Sequence, residues 1–238
     1  MKKIFTLLAL TISFSMNAQL TAVSEGGNTG QRLSTSNASN HGDIGSNAVD
    51  LSYSNSSSST RGATGNYSTA MGRSTTASES YSTAMGYSTT ASGDGSTAMG
   101  FNTTASGGIS TAMGSYSTAS ADYSTAMGWN TTASGGISTA MGYNTTASDF
   151  ASTVIGQYNS SGSSATSASS FSTSAPAFVI GNGTNSSNKS DAFKVMFNGD
   201  TTVSNDLTVS GDVVISSDAR LKSNIVSLGS TLPKLLQI

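Results

Sequence analysis

The chain has no cysteine, 2 prolines, a single His and a single Trp, and only 9% of its 238 residues are charged. Without cysteine, neither disulfides nor a zinc–thiolate site can order it. Leu, Ile, Val and Phe are too sparse for an ordinary globular core, yet charge this low is not the mark of a solvated, disordered chain. The lone His41 lies in a Gly- and Asn-rich stretch and cannot by itself make a metal site or a triad, so it reads as a surface residue. Ser, Thr and Ala, together with 26 Gly, dominate what remains.

The first eighteen residues, MKKIFTLLALTISFSMNA, read as a secretory signal peptide. Lys2 and Lys3 precede an apolar run from Ile4 to Phe14, and small and polar residues lead to a cleavage point before Gln19. The run is about half the ~20 residues a membrane-spanning helix needs. Removing Lys2 and Lys3 leaves 8 basic side chains against 12 acidic ones, which provides no basic footprint for nucleic acid or anionic lipid.

Order comes from repetition. "YSTAMG" at 67–72 returns at 81–86, and glycines follow at 72, 86, 100, 114, 128, 142 and 156, a step of fourteen without insertion. Met precedes the first six of these glycines, and Ile155 precedes the last. Each unit echoes itself at an offset of seven, as in Ser68-Thr69-Ala70 and Thr75-Thr76-Ala77. Thr-rich alternation bounded by Gly and polar residues predicts two short strands and two turns per unit, since the three-and-four apolar spacing of a helix is absent. Such units stack as rungs of a β-solenoid. Gly is expected at the corners, and Ala70, Ala77 and their equivalents where two close sheets leave room for a methyl group. Ordering a rung costs more than so little apolar burial returns, which predicts self-association. The Met column is either the added interface or part of the monomer's own packing.

The stretch "NYSTAMGRSTTASESYSTAMGYSTTASG" resembles the head repeats of trimeric autotransporter adhesins, the YadA-like head. The resemblance spans 67–158 and implies a left-handed parallel β-roll. It also implies a homotrimer exposed at a bacterial surface that contacts extracellular matrix, glycan or another cell. A second resemblance begins at "SDARLKSNI": Ser217 to Ile225 is similar to the opening of the intramolecular chaperone domain of endosialidase-type phage tail spikes. It implies Ser217 as nucleophile and Lys222 as base of a self-cleavage, with Asp218 and Arg220 supporting. Family domains run well beyond the 21 residues that follow Ser217 here. Nothing in those residues desolvates Lys222, so no cleavage is expected from this polypeptide, and Asp218 and Lys222 read as solvated charges opening a short helix.

The expected architecture is all-β. Residues 19–66 are irregular or degenerate rungs, 67–158 the β-roll and 159–175 a Ser-rich linker. Residues 176–216 form a β-strand fibre segment, and 217–238 the truncated start of the chaperone domain with a short helix. No cofactor or metal is called for. Asp94, Asp122 and Asp149 lie near corners but lack the Gly-Gly-x-Gly-x-Asp spacing of calcium-binding rolls. Aromatics follow the corner Gly (Tyr87, Phe101, Trp129, Tyr143) or precede the strand (Tyr67, Tyr81, Tyr123), where they either contact a partner or stack between rungs. The expected role is an exported, non-enzymatic adhesive fibre, at the cell surface, outer-membrane-associated or extracellular. Two alternatives are an ice- or crystal-binding array formed by Thr75, Thr89, Thr103, Thr131 and Thr145, and a phage-fibre-like protein.

Overall fold

A computed structural model gives the fold of residues 20–210. The signal segment 1–18, the Ser217–Lys222 pair and the expected C-terminal helix lie outside the described residues. The chain divides into two compact units at Asn205 and Asp206, and every regular element described below belongs to the first.

That unit begins with β1 (Leu20–Glu25), β2 (Asn28–Leu33), a single 3-10 turn at Ala38–Asn40, β3 (Val49–Tyr53) and β4 (Gly62–Ala63). Long and short strands then alternate: β5 (Thr69–Arg73), β6 (Thr76–Ala77), β7 (Thr83–Tyr87), β8 (Thr90–Ala91), β9 (Thr97–Phe101) and β10 (Thr104–Ala105). The alternation continues through β11 (Thr111–Ser115), β12 (Thr118–Ala119), β13 (Thr125–Trp129), β14 (Thr132–Ala133), β15 (Thr139–Tyr143), β16 (Thr146–Ala147) and β17 (Thr153–Gln157). The last strands are β18 (Pro176–Asn182), β19 (Asp191–Met196) and β20 (Thr201–Val203).

The long strands form one sheet of 13 strands and the short strands a second of 7. Thr69 pairs with Thr83, Met71 with Met85 and Gly72 with Gly86, and the parallel register repeats rung after rung. This is the parallel β-solenoid of fourteen-residue rungs that the spacing predicts.

The pentapeptide now has a reason at each position. Ser68, Ser82, Ser124 and Ser152 are buried, and their hydroxyls donate to the carbonyl three residues back, at 2.7, 2.6, 2.6 and 2.8 Å, closing the preceding turn. Thr69 and Met71 point outward while Ala70 between them points in, the period-two alternation of a strand. The inward column, Ala70 through Ala140, is fully buried against the Ala77-to-Ala147 column of the short sheet. Small residues are needed on both sides because the two sheets are joined by turns too short to hold them further apart.

Glycine and corner chemistry differ from the sequence expectation. Gly72, Gly86 and their equivalents lie within the long strands, at φ between +94° and +138° through Gly156. A Cβ built on Gly114 would run into the carbonyl oxygen of Gly128 in the next rung, so the column is fixed by close backbone approach. The left-handed corners fall on other residues. Tyr67, Ser74, Tyr81, Ser88, Asn102, Ile109 and their successors through Ala151 adopt φ from +51° to +60°, at two corners seven residues apart in each rung. The offset-of-seven echo in the sequence is this pair of corners.

Outside the strict repeat the spiral continues with longer rungs. Val49 of β3 pairs with Thr69, Gln31 of β2 with Val49, and Phe178 of β18 with Thr153, all parallel. Antiparallel strands finish the long sheet at both ends: β1 on β2, then β19 on β18 and β20 on β19. Residues 159–175 form the excursion joining β17 to β18. At its start Asn159 closes the free edge of the short sheet. Its side-chain amide donates to the Thr146 carbonyl at 2.9 Å and accepts from the Thr146 N–H at 2.8 Å, replacing the strand that would follow.

Candidate functional site

The outward face of the long sheet is the most chemically distinctive surface of the described unit. Its central column runs Leu51, Met71, Met85, Met99, Met113, Met127, Met141, Ile155 and Ile180, aligned by strand position and by paired register along most of its length. These side chains are half-buried to exposed, with Met99 38% and Met141 37% accessible, while the interior is filled by Ala. Of the two readings of the Met column, packing inside the single chain is therefore excluded. Beside it runs a column of Val49, seven threonines from Thr69 to Thr153, and Phe178. Neither column contains a charged residue.

On the other flank of the Met column the aromatics form a ladder. Tyr87 stacks on Phe101 at 5.0 Å between centroids, and Trp129 on Tyr143 at 4.7 Å. Where the column carries Ser115, its neighbour Tyr116 fills the gap, packing edge-on against Phe101 at 5.4 Å and Trp129 at 6.3 Å. Tyr158 extends the series from Tyr143 at 5.4 Å, and Arg73 begins it, its guanidinium 5.5 Å from the Tyr87 ring centre. Inter-rung stacking, one of the two expectations, is thus what Tyr87, Phe101, Trp129 and Tyr143 do, and Tyr67 likewise stacks on Tyr81 at 5.3 Å. Tyr116 and Tyr158 are not signalled by the repeat because they sit one position after the fourteen-residue column, although both fall on a left-handed corner.

A fourteen-residue rung, small inward residues, an outward aliphatic column and a glycine fixed by the next rung's carbonyl are the features that decide the comparison. The family profile described as the YadA head domain repeat matches residues 63–89, 80–103, 91–116, 105–131 and 133–159. These rungs are similar to YadA head repeats. The matches cover less than half of the chain. No curated protein and no solved structure matches the chain.

The YadA-like stretch corrects one expectation directly. Thr75, Thr89, Thr103, Thr131 and Thr145 are fully buried inside the spiral, so they cannot form the flat outward array that the ice- or crystal-binding alternative requires.

A second correction lies just N-terminal to the head repeats. His41, expected at the surface, is 6% exposed. Its Nδ1 lies 3.0 Å from Asp50 Oδ2 and 3.4 Å from Ser52 Oγ. Asp50 Oδ1 accepts from the Ser52 hydroxyl at 2.6 Å and from the Ser52 N–H at 3.0 Å, while Oδ2 accepts from Arg32 Nε at 3.3 Å. Arg32 also donates to Glu25 at 2.7 Å and to the Gly42 carbonyl at 2.9 Å. Burial by itself pushes the Asp50 carboxyl up, but the hydrogen bonds from His41 and Ser52 and the attraction of His41 outweigh it and hold the group below its ordinary value. Ser52 and Asp50 both approach the same imidazole nitrogen, and Ser52 donates to the carboxylate itself. That arrangement plugs the end of the spiral and is not a nucleophile–base–orienter relay.

Of the three corner aspartates, Asp149 is fully buried, and its Oδ1 accepts from the N–H groups of Thr166 and Ser167 at 2.5 and 2.7 Å. It clamps the excursion back onto the last head rungs. Asp94 and Asp122 remain exposed. Among the described residues no cluster of three or more His, Asp or Glu is placed to hold a metal ion, and no helix is long and apolar enough to cross a membrane.

Proposed function

We propose that the chain is an exported, homotrimeric fibre protein whose head adheres to other surfaces through many weak, repeated contacts. In this reading the outward face of the long sheet joins three copies. The observation that carries it is the Met column: a charge-free aliphatic stripe, continuous from Leu51 to Ile180 and left uncovered by the single chain. Apolar stripes of this length on soluble proteins mark interfaces. A trimer supplies the burial that a spiral with an alanine interior lacks. YadA-like heads are the family context for both trimer and adhesion. Secretion through residues 1–18, surface localisation, and matrix, glycan or another cell as the target belong to the same proposal. The role is mechanical and not enzymatic, and self-cleavage by Ser217 and Lys222 is no part of it.

Sedimentation of the mature protein tests the assembly. A trimer is expected at micromolar concentration, and Met99→Glu with Met127→Glu is expected to break it into monomers that no longer retain cells or matrix. A folded, monodisperse wild-type monomer at that concentration would remove the basis of the proposal.

A further inference from the structure

One corner of the head carries concave sites that the Met face does not explain. Along it run two adjacent columns: Asp94, Gly108, Asp122, Gly136 and Phe150 in one, Gly95, Ile109, Tyr123, Ile137 and Ala151 in the other. Large and missing side chains alternate in the first column, so a gap opens at Gly108 and another at Gly136. The gap at Gly136 is a cavity of about 410 Å³, within the rough 300–1,000 Å³ span of small-ligand sites. Its lining includes Asp122, Tyr123, Ile137, Phe150 and Ser169. The gap at Gly108 is smaller, about 190 Å³, and shares Asp122 and Tyr123 as its wall. The two lie two rungs apart, about 9.6 Å at the usual strand spacing.

The larger gap is built by the insertion that interrupts the repeat. Gly136 donates to the Ala168 carbonyl at 2.8 Å and Phe150 to the Ser167 carbonyl at 2.8 Å, and the buried Asp149 holds Thr166 and Ser167 in place. The Phe150 ring sits over Gly136, whose missing Cβ would lie 3.2 Å from Cδ2. Tyr123 and Ile137 stand 59% and 52% exposed at the mouth. Asp122 lines both gaps and uses Oδ1 to accept from the Gly108 N–H at 2.8 Å.

We propose that these gaps form a groove for an extended, uncharged polysaccharide, with alternate sugar rings of one chain seated in the two gaps. This rests on the adhesive reading above and names its ligand class. In the larger gap Tyr123, Ile137 and Phe150 match the C–H faces of a pyranose, in the smaller one Ile109 and Tyr123 do, and Asp94, Asp122, Ser134 and Ser169 bring carboxylate and hydroxyl acceptors for its hydroxyls. No Lys or Arg lines either gap, so nothing there recognises sulfate, phosphate or sialic acid. Two gaps at a fixed interval favour a polymer over a single ring, because the second site fills at high effective concentration once the first is occupied.

The test is calorimetric titration of the full chain with cello- and chito-oligosaccharides, comparing disaccharide with hexasaccharide. For at least one series, the hexasaccharide is expected to bind about tenfold or more tightly than the disaccharide. Tyr123→Ala removes the shared wall and is expected to weaken it about tenfold, equivalent to ~1.4 kcal/mol. Ala151 already occupies the same corner geometry, so this variant is expected to fold. Gly136→Val fills one gap and brings the hexasaccharide down to disaccharide affinity. Equal affinity for both lengths, or undiminished binding by Tyr123→Ala, overturns the groove. So does salt-sensitive capture of polylysine that Asp122→Asn abolishes, since that outcome identifies a basic partner. A wild-type trimer that holds surfaces but binds neither sugar series leaves the adhesive reading standing and removes only this site.

Discussion

One inward column of the long sheet passes through two kinds of chemistry. In the head repeats it is alanine, from Ala70 to Ala140, and fully buried. Followed toward the N-terminus through Asp50 opposite Ala70 and Arg32 opposite Asp50, the same column becomes an ion pair with 0% and 3% exposure. The difference is one of rung length. In this column a fourteen-residue rung leaves no room beyond a methyl, whereas the longer loops between β2, β3 and β5 allow a carboxylate, a guanidinium and the His41 imidazole to enter with their hydrogen-bond partners. Uniform rungs propagate; the irregular rungs terminate the stack with polar groups, as solenoid ends must.

The largest expected effect falls on the terminating end. Asp50→Ala leaves Arg32 and His41 buried without their common carboxylate and is expected to cost about 3–5 kcal/mol there. Hydrogen exchange should show the loss confined to β1–β4, with the rungs from β7 onward still protected. The same site has an acid limit. Because the Asp50 carboxyl is held below its ordinary 3.8 in the folded chain, its contribution is complete above that value and is lost as pH falls through the lowered one. Acid should therefore open the β1–β4 end while the alanine-filled rungs, which contain no titrating interior group between Ala70 and Ala140, remain closed. Simultaneous loss of both regions would contradict the comparison.

Within the uniform region the corresponding weak point is backbone proximity. Gly114→Ala must place a methyl against the Gly128 carbonyl at φ +105°. Strain and overpacking together are expected to cost about 3 kcal/mol, read as a drop in the unfolding midpoint. A midpoint unchanged by this variant would mean that the rungs are not stacked as closely as described.

Much of this architecture is legible in the order of residues alone. The strict step of fourteen sets the rung, and the recurrence of Ala70 and Ala77 sets the narrow interior. Strand parity carries further information. Ala77 points inward, so a period of two puts Thr76 outside and Thr75 inside, which is enough to bury the Thr75 column. By the same rule Ala70 sends Thr69 and Met71 outward. The corners are not legible in this way. Tyr67, Ile109 and Ile137 are poor left-handed residues by intrinsic preference, and they are held there by the hydrogen bonds of the neighbouring rung, such as Ile109 N–H to the Asp94 carbonyl at 2.7 Å. The burial of His41 is hidden for the opposite reason: its rung is irregular and offers no period from which to infer it.

The C-terminal edge of the short sheet gives a smaller effect than either interior. Asn159→Ala removes both hydrogen bonds to Thr146 and exposes the edge of β16, at an expected cost of about 1–3 kcal/mol. The freed edge is a template for strand pairing, so the variant should also gain a concentration-dependent tendency to associate further than the wild type. Light scattering across a dilution series reads this, and a variant no more associated than the wild type would show that the excursion covers the edge without Asn159.

The smallest effect is a gain. Asn102, Asn130 and Asn144 occupy the second left-handed corner in three rungs, and the Asn130 amide donates to Asn144 Oδ1 across one rung step. Ser74 and Ser88 hold the same corner at φ +55° and +51° without that ladder. Asparagine tolerates left-handed backbone better than serine, and its amide can bond to its neighbour one rung away. Ser88→Asn beside Asn102 is therefore expected to stabilise the rungs by about 0.5–1 kcal/mol, seen as a raised unfolding midpoint with no change in assembly. The equivalent position in the polar N-terminal rungs has no aligned neighbour at fourteen residues, so an added asparagine there should gain nothing. If both regions gained equally, the benefit would come from local backbone preference alone, and the exact stacking of the head would play no part in it.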